Sequence, residues 1–209
     1  MRFPSTVSGL LILLWVGTVS PGLGADEKGA GHSVPKEVRD MAGRYTGAWT
    51  LYGIDEKGAV VKRAAWTDMV TAEKPEVKGD RAFVSLTDEM TFEGRNEPFA
   101  MRGTEGYFLK KDGGVGDYFI ETAGQIKRMV RLSESVWTYA TAASAQELEQ
   151  LGFPKNASGQ HVLVKVVTTE RGVETHRISR VTTASWKDKD GTERWLQFVS
   201  LQGFHKRQR

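Results

Sequence analysis

Cysteine is absent from all 209 residues, which excludes a disulfide framework, a thiol nucleophile and a thiolate metal site. Proline is sparse, at 6 residues, and the 23 glycines follow no fixed period, so the chain is neither collagen-like nor a proline-rich low-complexity segment. An excess of one charge is missing too. The 29 Lys+Arg are interspersed with 26 Asp+Glu, and the formal net charge of +3 forms no basic stripe of the kind nucleic acid requires, so nucleic acid is not an expected partner and the pI of about 9.1 overstates the bias. What is present, 39% apolar and 10% aromatic residues, suffices for one folded domain.

The first 25 residues read as an address. Arg2 precedes an apolar run from Val7 to Val19, followed by Pro21, Gly22, Gly24 and Ala25, which is the pattern of a secretory signal peptide cleaved after Ala25. Retention as an N-terminal anchor is the alternative. Nothing after Ala25 approaches the roughly 18 apolar residues of a membrane span, so no stable membrane insertion is expected after cleavage and the predicted location is exported, periplasmic or secreted. Residues 26–34 have the composition of a flexible leader, residues 35–205 are the folded domain, and 206–209, Lys-Arg-Gln-Arg, form a basic tail.

Within the domain, short segments rich in Val, Thr, Phe, Tyr and Trp alternate with Gly and Asp turn signals, which predicts antiparallel strands. They fall near Tyr45–Tyr52, Val60–Thr71, Ala82–Phe92, Phe99–Met101, Glu105–Leu109, Tyr118–Thr122, Ile126–Leu132, Val136–Ala140, Val162–Thr169, Thr175–Trp186 and Arg194–Gln202. Two short helices are predicted, one over Pro35–Ala42 and one opened by the capping box Ser144-Ala145-Gln146-Glu147. Hairpin following hairpin, without strand–helix–strand alternation, predicts an all-β, up-and-down antiparallel barrel of about 8–10 strands, with a β-sandwich as the alternative. In Arg194–Gln202 both faces are partly apolar, Leu196 and Phe198 on one and Trp195, Val199 and Leu201 on the other, which favours the barrel.

The segment Met41-Ala42-Gly43-Arg44-Tyr45-Thr46-Gly47-Ala48-Trp49, a short helix leading to Gly-x-aromatic at the first strand, resembles the calycin superfamily of lipocalins, fatty-acid-binding proteins and nitrobindin-like barrels. Met101-Arg102-Gly103-Thr104-Glu105-Gly106-Tyr107-Phe108 is similar to the mid-barrel strand of nitrobindin-like and related bacterial families, and Gly116-Asp117-Tyr118 to a second lipocalin motif. The resemblance implies a cavity for a small apolar molecule, lipid or haem, and no common chemistry.

No G-x-S-x-G, H-E-x-x-H, P-loop or G-x-G-x-x-G motif occurs, and His32, His161, His176 and His205 show no metal spacing, so no catalytic residue and no metal site is assigned. The better lead is the charged residue on an apolar strand face, because a buried charge is costly unless paired. Asp88 interrupts Ala82-Val84-Leu86-Met90-Phe92; Arg180 and His176 interrupt a face with Ile178, Ala184 and Trp186; Arg128 sits among Ile126, Val130 and Leu132. If these faces point inward, Asp88, Arg128, His176 and Arg180 hold a ligand's polar head while Trp49, Trp66 and Tyr107 line its body. The expected function is an exported barrel that binds a small apolar or amphipathic molecule without catalysis and without a cofactor. The alternatives are a nitrobindin-like haem protein, with His205 as the ligand, and a cell-envelope structural or interaction module. A binding barrel of this kind requires a cavity of roughly several hundred Å³. Oligomeric state is not legible.

Overall fold

The computed structural model describes residues 33–209; the expected signal peptide and most of the expected leader lie outside the described residues. Helix α1 (Lys36–Arg39) leads into β1 (Gly43–Ile54), β2 (Val60–Ala72), β3 (Glu76–Lys78), β4 (Arg81–Phe92), β5 (Phe99–Leu109), β6 (Val115–Thr122), β7 (Gln125–Arg131) and β8 (Val136–Ala142). Helix α2 (Ala145–Gln150) then precedes β9 (Ser158–Glu170), β10 (Val173–Lys187) and β11 (Glu193–Arg207). All pairing is antiparallel. Strand β1 pairs with β2 and β11, and β2 also pairs with β4, so the sheet closes into a ten-strand up-and-down barrel, with β3 a short leg beside the start of β4. Closure leaves no second sheet among the described residues, and the sandwich alternative falls.

The local signals act as their chemistry requires. Gly58, Gly113, Gly172 and Gly191 hold the positive φ of their hairpin turns. At α2, the Glu147 N–H donates to Ser144 Oγ at 3.1 Å and the Ser144 N–H donates to Glu147 Oε2 at 2.8 Å, completing the capping box.

Three strand expectations need correction. Phe99–Met101 and Glu105–Leu109 are one strand, because Gly103 and Gly106 are not turn glycines. Their missing side chains let neighbouring strands close in: a Cβ on Gly103 would stand 2.5 Å from the Glu121 carbonyl oxygen, and one on Gly106 would stand 2.6 Å from Phe83 Cα. The last strand runs past Gln202 to Arg207, because its end pairs with β1 from Leu51 opposite Leu201 to Tyr45 opposite Arg207. Finally, the apolar residues on both faces of β11 reflect a register shift. Arg180 faces Leu201 but Val181 faces Val199, so Ser200 is an extra residue and the alternation flips there. Leu196, Phe198 and Leu201 therefore all pack on the core, while Trp195 remains 71% exposed.

The interior holds two apolar clusters. One lies with α1 and gathers Val38, Tyr45, Val70, Ala82, Val84, Tyr107 and Tyr118. The other lies with α2 and gathers Trp49, Leu51, Trp66, Phe92, Leu148, Phe153 and Phe198. Gly203 makes the second one possible, since a Cβ there would stand 2.5 Å from Trp49 Cδ2. Replacing Gly203 by Ala is expected to lower stability by about 1–3 kcal/mol through overpacking. Urea unfolding monitored by circular dichroism measures this, and an unshifted midpoint would refute the role given to Gly203.

Candidate functional site: a charged belt inside the barrel

The inward faces carry ionisable groups where a core is normally apolar. Period-two alternation places Asp68 between Trp66 and Val70 on β2, Asp88 between Leu86 and Met90 on β4, and Lys165 between Leu163 and Val167 on β9. Arg180 follows Ile178 on β10, and His205 lies two residues beyond Gly203 on β11. With Glu105 on β5 and Lys127 on β7 they surround an internal cavity of about 80 Å³, whose remaining walls include Trp49, Trp66, Ile120, Met129, Tyr139 and Leu163. That volume holds several waters or one compact molecule.

Three hydrogen-bonded groups make up the belt. In the first, Asp68 Oδ2 accepts from Trp49 Nε1 at 2.6 Å and from His205 Nε2 at 2.9 Å. A carboxylate only accepts, so the His205 tautomer carries its proton on Nε2. Gly47 makes room for this contact, since a Cβ there would overlap Asp68 Oδ1 and stand 2.6 Å from His205 Cδ2. Asp88 lies close enough to feel the Asp68 charge, and its own Oδ1 is buried with no hydrogen-bond partner among the described residues.

In the second, the Lys165 ammonium donates to Glu105 Oε1 and to the Tyr118 hydroxyl, each at 2.5 Å, and lies 4.4 Å from the Tyr118 ring centroid. Burial pushes the Glu105 carboxyl up, but Lys165 and His176 outweigh it and hold the group below its ordinary range. His176 is pulled down by burial and by Lys165, against its own bond to Glu174 at 2.8 Å.

In the third, Arg180 Nε donates to Ser200 Oγ at 2.9 Å, the Thr182 hydroxyl donates to the same oxygen at 2.7 Å, and the Ser200 hydroxyl donates to the Arg180 carbonyl at 3.2 Å. Thr182 Oγ1 lies 2.7 Å from His161 Nδ1, and His161 Nε2 lies 3.7 Å from Glu147 Oε2. Arg180 is only 4% exposed, and burial disfavours its charge.

Of the residues singled out in the sequence, Trp49, Trp66, Asp88 and Arg180 line the cavity. His176 also faces inward, beside a void of about 20 Å³ that it shares with Tyr45, Glu105 and His205. Tyr107 belongs to the apolar cluster beneath α1, against Tyr118 and Trp137, and does not border the cavity. Arg128 is a correction. It lies on the outer face, paired with Asp117 at 2.7 Å and stacked 4.5 Å from the Phe108 ring centroid, because on β7 the inward residues are Lys127 and Met129 while Ile126 and Val130 are exposed. His205, the candidate haem ligand, lines the cavity and is bonded to Asp68. Asp68, Glu105, Lys127 and Lys165 were missed, although the same test of a charge between apolar residues two apart marks Asp68 and Lys165.

Haem does not fit this interior. The cavity is too small for the macrocycle, and the Nε2 of His205 is engaged by Asp68, with its ring packed edge-on to Trp49 at 5.0 Å.

Burial, followed by the neighbouring Asp68, raises the Asp88 carboxyl from 3.8 to about 7, with His205 opposing. The folded chain therefore binds this proton more tightly than the unfolded chain does. Its contribution favours folding at low pH and is lost as pH rises from about 4 through about 7. Asp88→Asn is expected to be more stable than the parent at pH 8, by on the order of 2 kcal/mol, with the gain vanishing near pH 4. Parallel stability–pH curves for the two proteins, from urea unfolding, would sink this assignment.

Comparison with protein-family models, with curated proteins and with solved structures finds no match to the chain, so function is argued from the belt and its cavity.

Proposed function

We propose that this chain is an exported, calycin-like barrel that binds a small amphipathic molecule in its interior without converting it. The observation carrying the reading is the composition of the cavity wall. Aromatic and aliphatic surface from Trp49, Trp66, Leu163 and Ile178 meets ionisable groups that the protein leaves partly unsatisfied, among them the buried Asp88 Oδ1. Unmet polar atoms around a cavity are the usual mark of a place for a polar partner. The volume of about 80 Å³ narrows the expectation: a largely apolar ligand needing several hundred Å³ gives way to a compact one with a polar or charged group. Export rests on the N-terminal segment alone.

A second reading, an interaction module, has one observation in its favour. A groove of about 750 Å³ crosses β10, β11, β1, β2 and β4, with the small residues Ala48, Thr50, Ala65 and Thr67 along it and Phe204, 41% exposed, beside them.

Native mass spectrometry of the full chain purified from its own host tests the first reading. A low-mass adduct that is released on denaturation and reduced in an Asp88→Asn variant is the expected result. Bare protein mass, together with no small molecule shifting Trp49 and Trp66 fluorescence, would overturn it.

A further inference from the structure

We infer that the belt contains an oxyanion subsite, formed by the guanidinium of Arg180 with the ammonium of Lys127 as its second positive charge. This rests on the internal-binding reading above and specifies the ligand: a compact oxyanion, a short-chain carboxylate or a phosphate.

The inference starts from an imbalance. Arginine presents five N–H donors in a fixed fork. Arg180 uses one, Nε–H to Ser200 Oγ, and its two terminal nitrogens meet no acceptor among the described residues. No carboxylate pairs with it either, whereas Arg81 pairs with Glu121, Arg128 with Asp117, Arg194 with Asp188 and the equally buried Lys165 with Glu105. Of the groups that favour the Arg180 charge, Tyr139 acts most and Glu147 next, and Glu147, the carboxylate among them, is committed to the capping box at Ser144 and faces His161. A guanidinium that is 96% buried, with no carboxylate paired to it among the described residues and lining a cavity, is costly unless something fills the space before it.

A second cation aggravates the cost. Lys127 lines the same cavity and feels the Arg180 charge, and burial with that charge lowers it to about 8, against the pull of Glu147. Its ammonium lies 5.9 Å from the ring centroid of Tyr139, which also lines the wall. Two cations on one side of a low-dielectric cavity repel each other and attract one anion. Asp68 and Asp88, on β2 and β4, make the rest of the wall hostile to an anion, so the charged end is confined to the β7–β10 side. That side is also where the wall is least complete. Strands β7 and β8 pair only at Val130 opposite Thr138 and Arg131 opposite Trp137, while Lys127 and Tyr139 flank the unlatched stretch. The terminal nitrogens of arginine match two oxygens of a carboxylate or a phosphate, and the cavity of about 80 Å³ excludes a long chain.

The test is titration of the full chain with sodium phosphate, acetate or butyrate at constant ionic strength, with acetamide and butyramide as uncharged controls of matching shape. Emission from Trp49 and Trp66 and the unfolding temperature are followed together. At least one oxyanion is expected to bind saturably, at least about tenfold more tightly than the amide. Lys127→Gln, at the half-buried edge of the cavity, is expected to weaken that binding at least about fivefold with the fold intact, and Arg180→Gln to abolish it. The phosphate and carboxylate arms identify which oxyanion chemistry the subsite takes. Amides binding as well as carboxylates would overturn the oxyanion subsite and leave the internal-binding reading standing. No binding by any probe would overturn both. Oxyanion binding unchanged in Lys127→Gln and in a folded Arg180→Gln would mean an adventitious ion only, and would also overturn the inference.

Discussion

The barrel is held shut by a carboxylate. Asp68 stands on β2, Trp49 on β1 and His205 on β11, three successive strands of the ring, and β1 and β11 are the first and last strands of the chain. One oxygen of Asp68 accepts from both neighbours, so the contact ties the two ends of the sequence to each other through a third strand. A hydrogen bond to a charged group contributes about 1.5–3 kcal/mol, twice or more the usual neutral bond. The approach is possible only because Gly47 and Gly203 lack side chains where the carboxylate, the imidazole and the indole must sit. The glycines, the tryptophan and the histidine thus form one unit with the aspartate, although 158 residues of sequence separate Gly47 from His205.

The same unit explains why the middle of the barrel is polar. Each end is sealed by an apolar cluster beneath a short helix, with Val38 from α1 and Leu148 from α2 both almost fully buried. Between the two clusters the inward positions are taken by Asp68, Asp88, Glu105, Lys127, Lys165, Arg180 and His205. The groups are not interchangeable. Lys165 and Glu105 satisfy one another and Tyr118, which makes them a structural pair whose desolvation is largely offset by their contact. Asp88, buried and beside Asp68, is driven toward its neutral form.

Much of this was legible in the sequence, and the failures are physical. Turn glycines, strand alternation and the capping box are local signals and need no partner to be read. Asp88, His176 and Arg180 were legible as charges on apolar faces for the same reason. Arg128 misled because β7 inverts the usual pattern: its apolar Ile126 and Val130 are exposed and its Lys127 is turned inward, a choice made by neighbouring strands and not by β7 itself. His205 lay beyond the predicted end of the last strand at Gln202, because the end of β11 is a strand only through its pairing with β1. The apolar residues on both faces of β11 pointed to a barrel, but Leu201 reaches the core only through the extra residue Ser200, which flips the alternation, while Trp195 and Val199 stay exposed. Gly103 fell in a gap between two predicted strands, whereas it marks close approach of neighbouring backbone. Each error came from a non-local contact expressed in a residue type that has a more common local meaning.

That distinction also separates what the fold needs from what it leaves over. Arg180 has a structural task, since its Nε–H and its carbonyl both bond Ser200, the residue at the bulge that turns Leu201 into the core. One nitrogen and one carbonyl complete that task. A shorter donor, or an apolar residue matching Leu163 and Ile178 on either side, would support the bulge without burying a charge whose remaining donors face a cavity. The nearest acid, Glu147, is engaged with a helix cap, and Asp68 and Asp88 lie on the far strands. Lys165 serves the fold with its partners on the chain, Glu105 and the Tyr118 hydroxyl. The terminal nitrogens of Arg180 have no such partner among the described residues, and Arg180 lines a cavity that carries both signs of charge beside the least-paired seam of the wall.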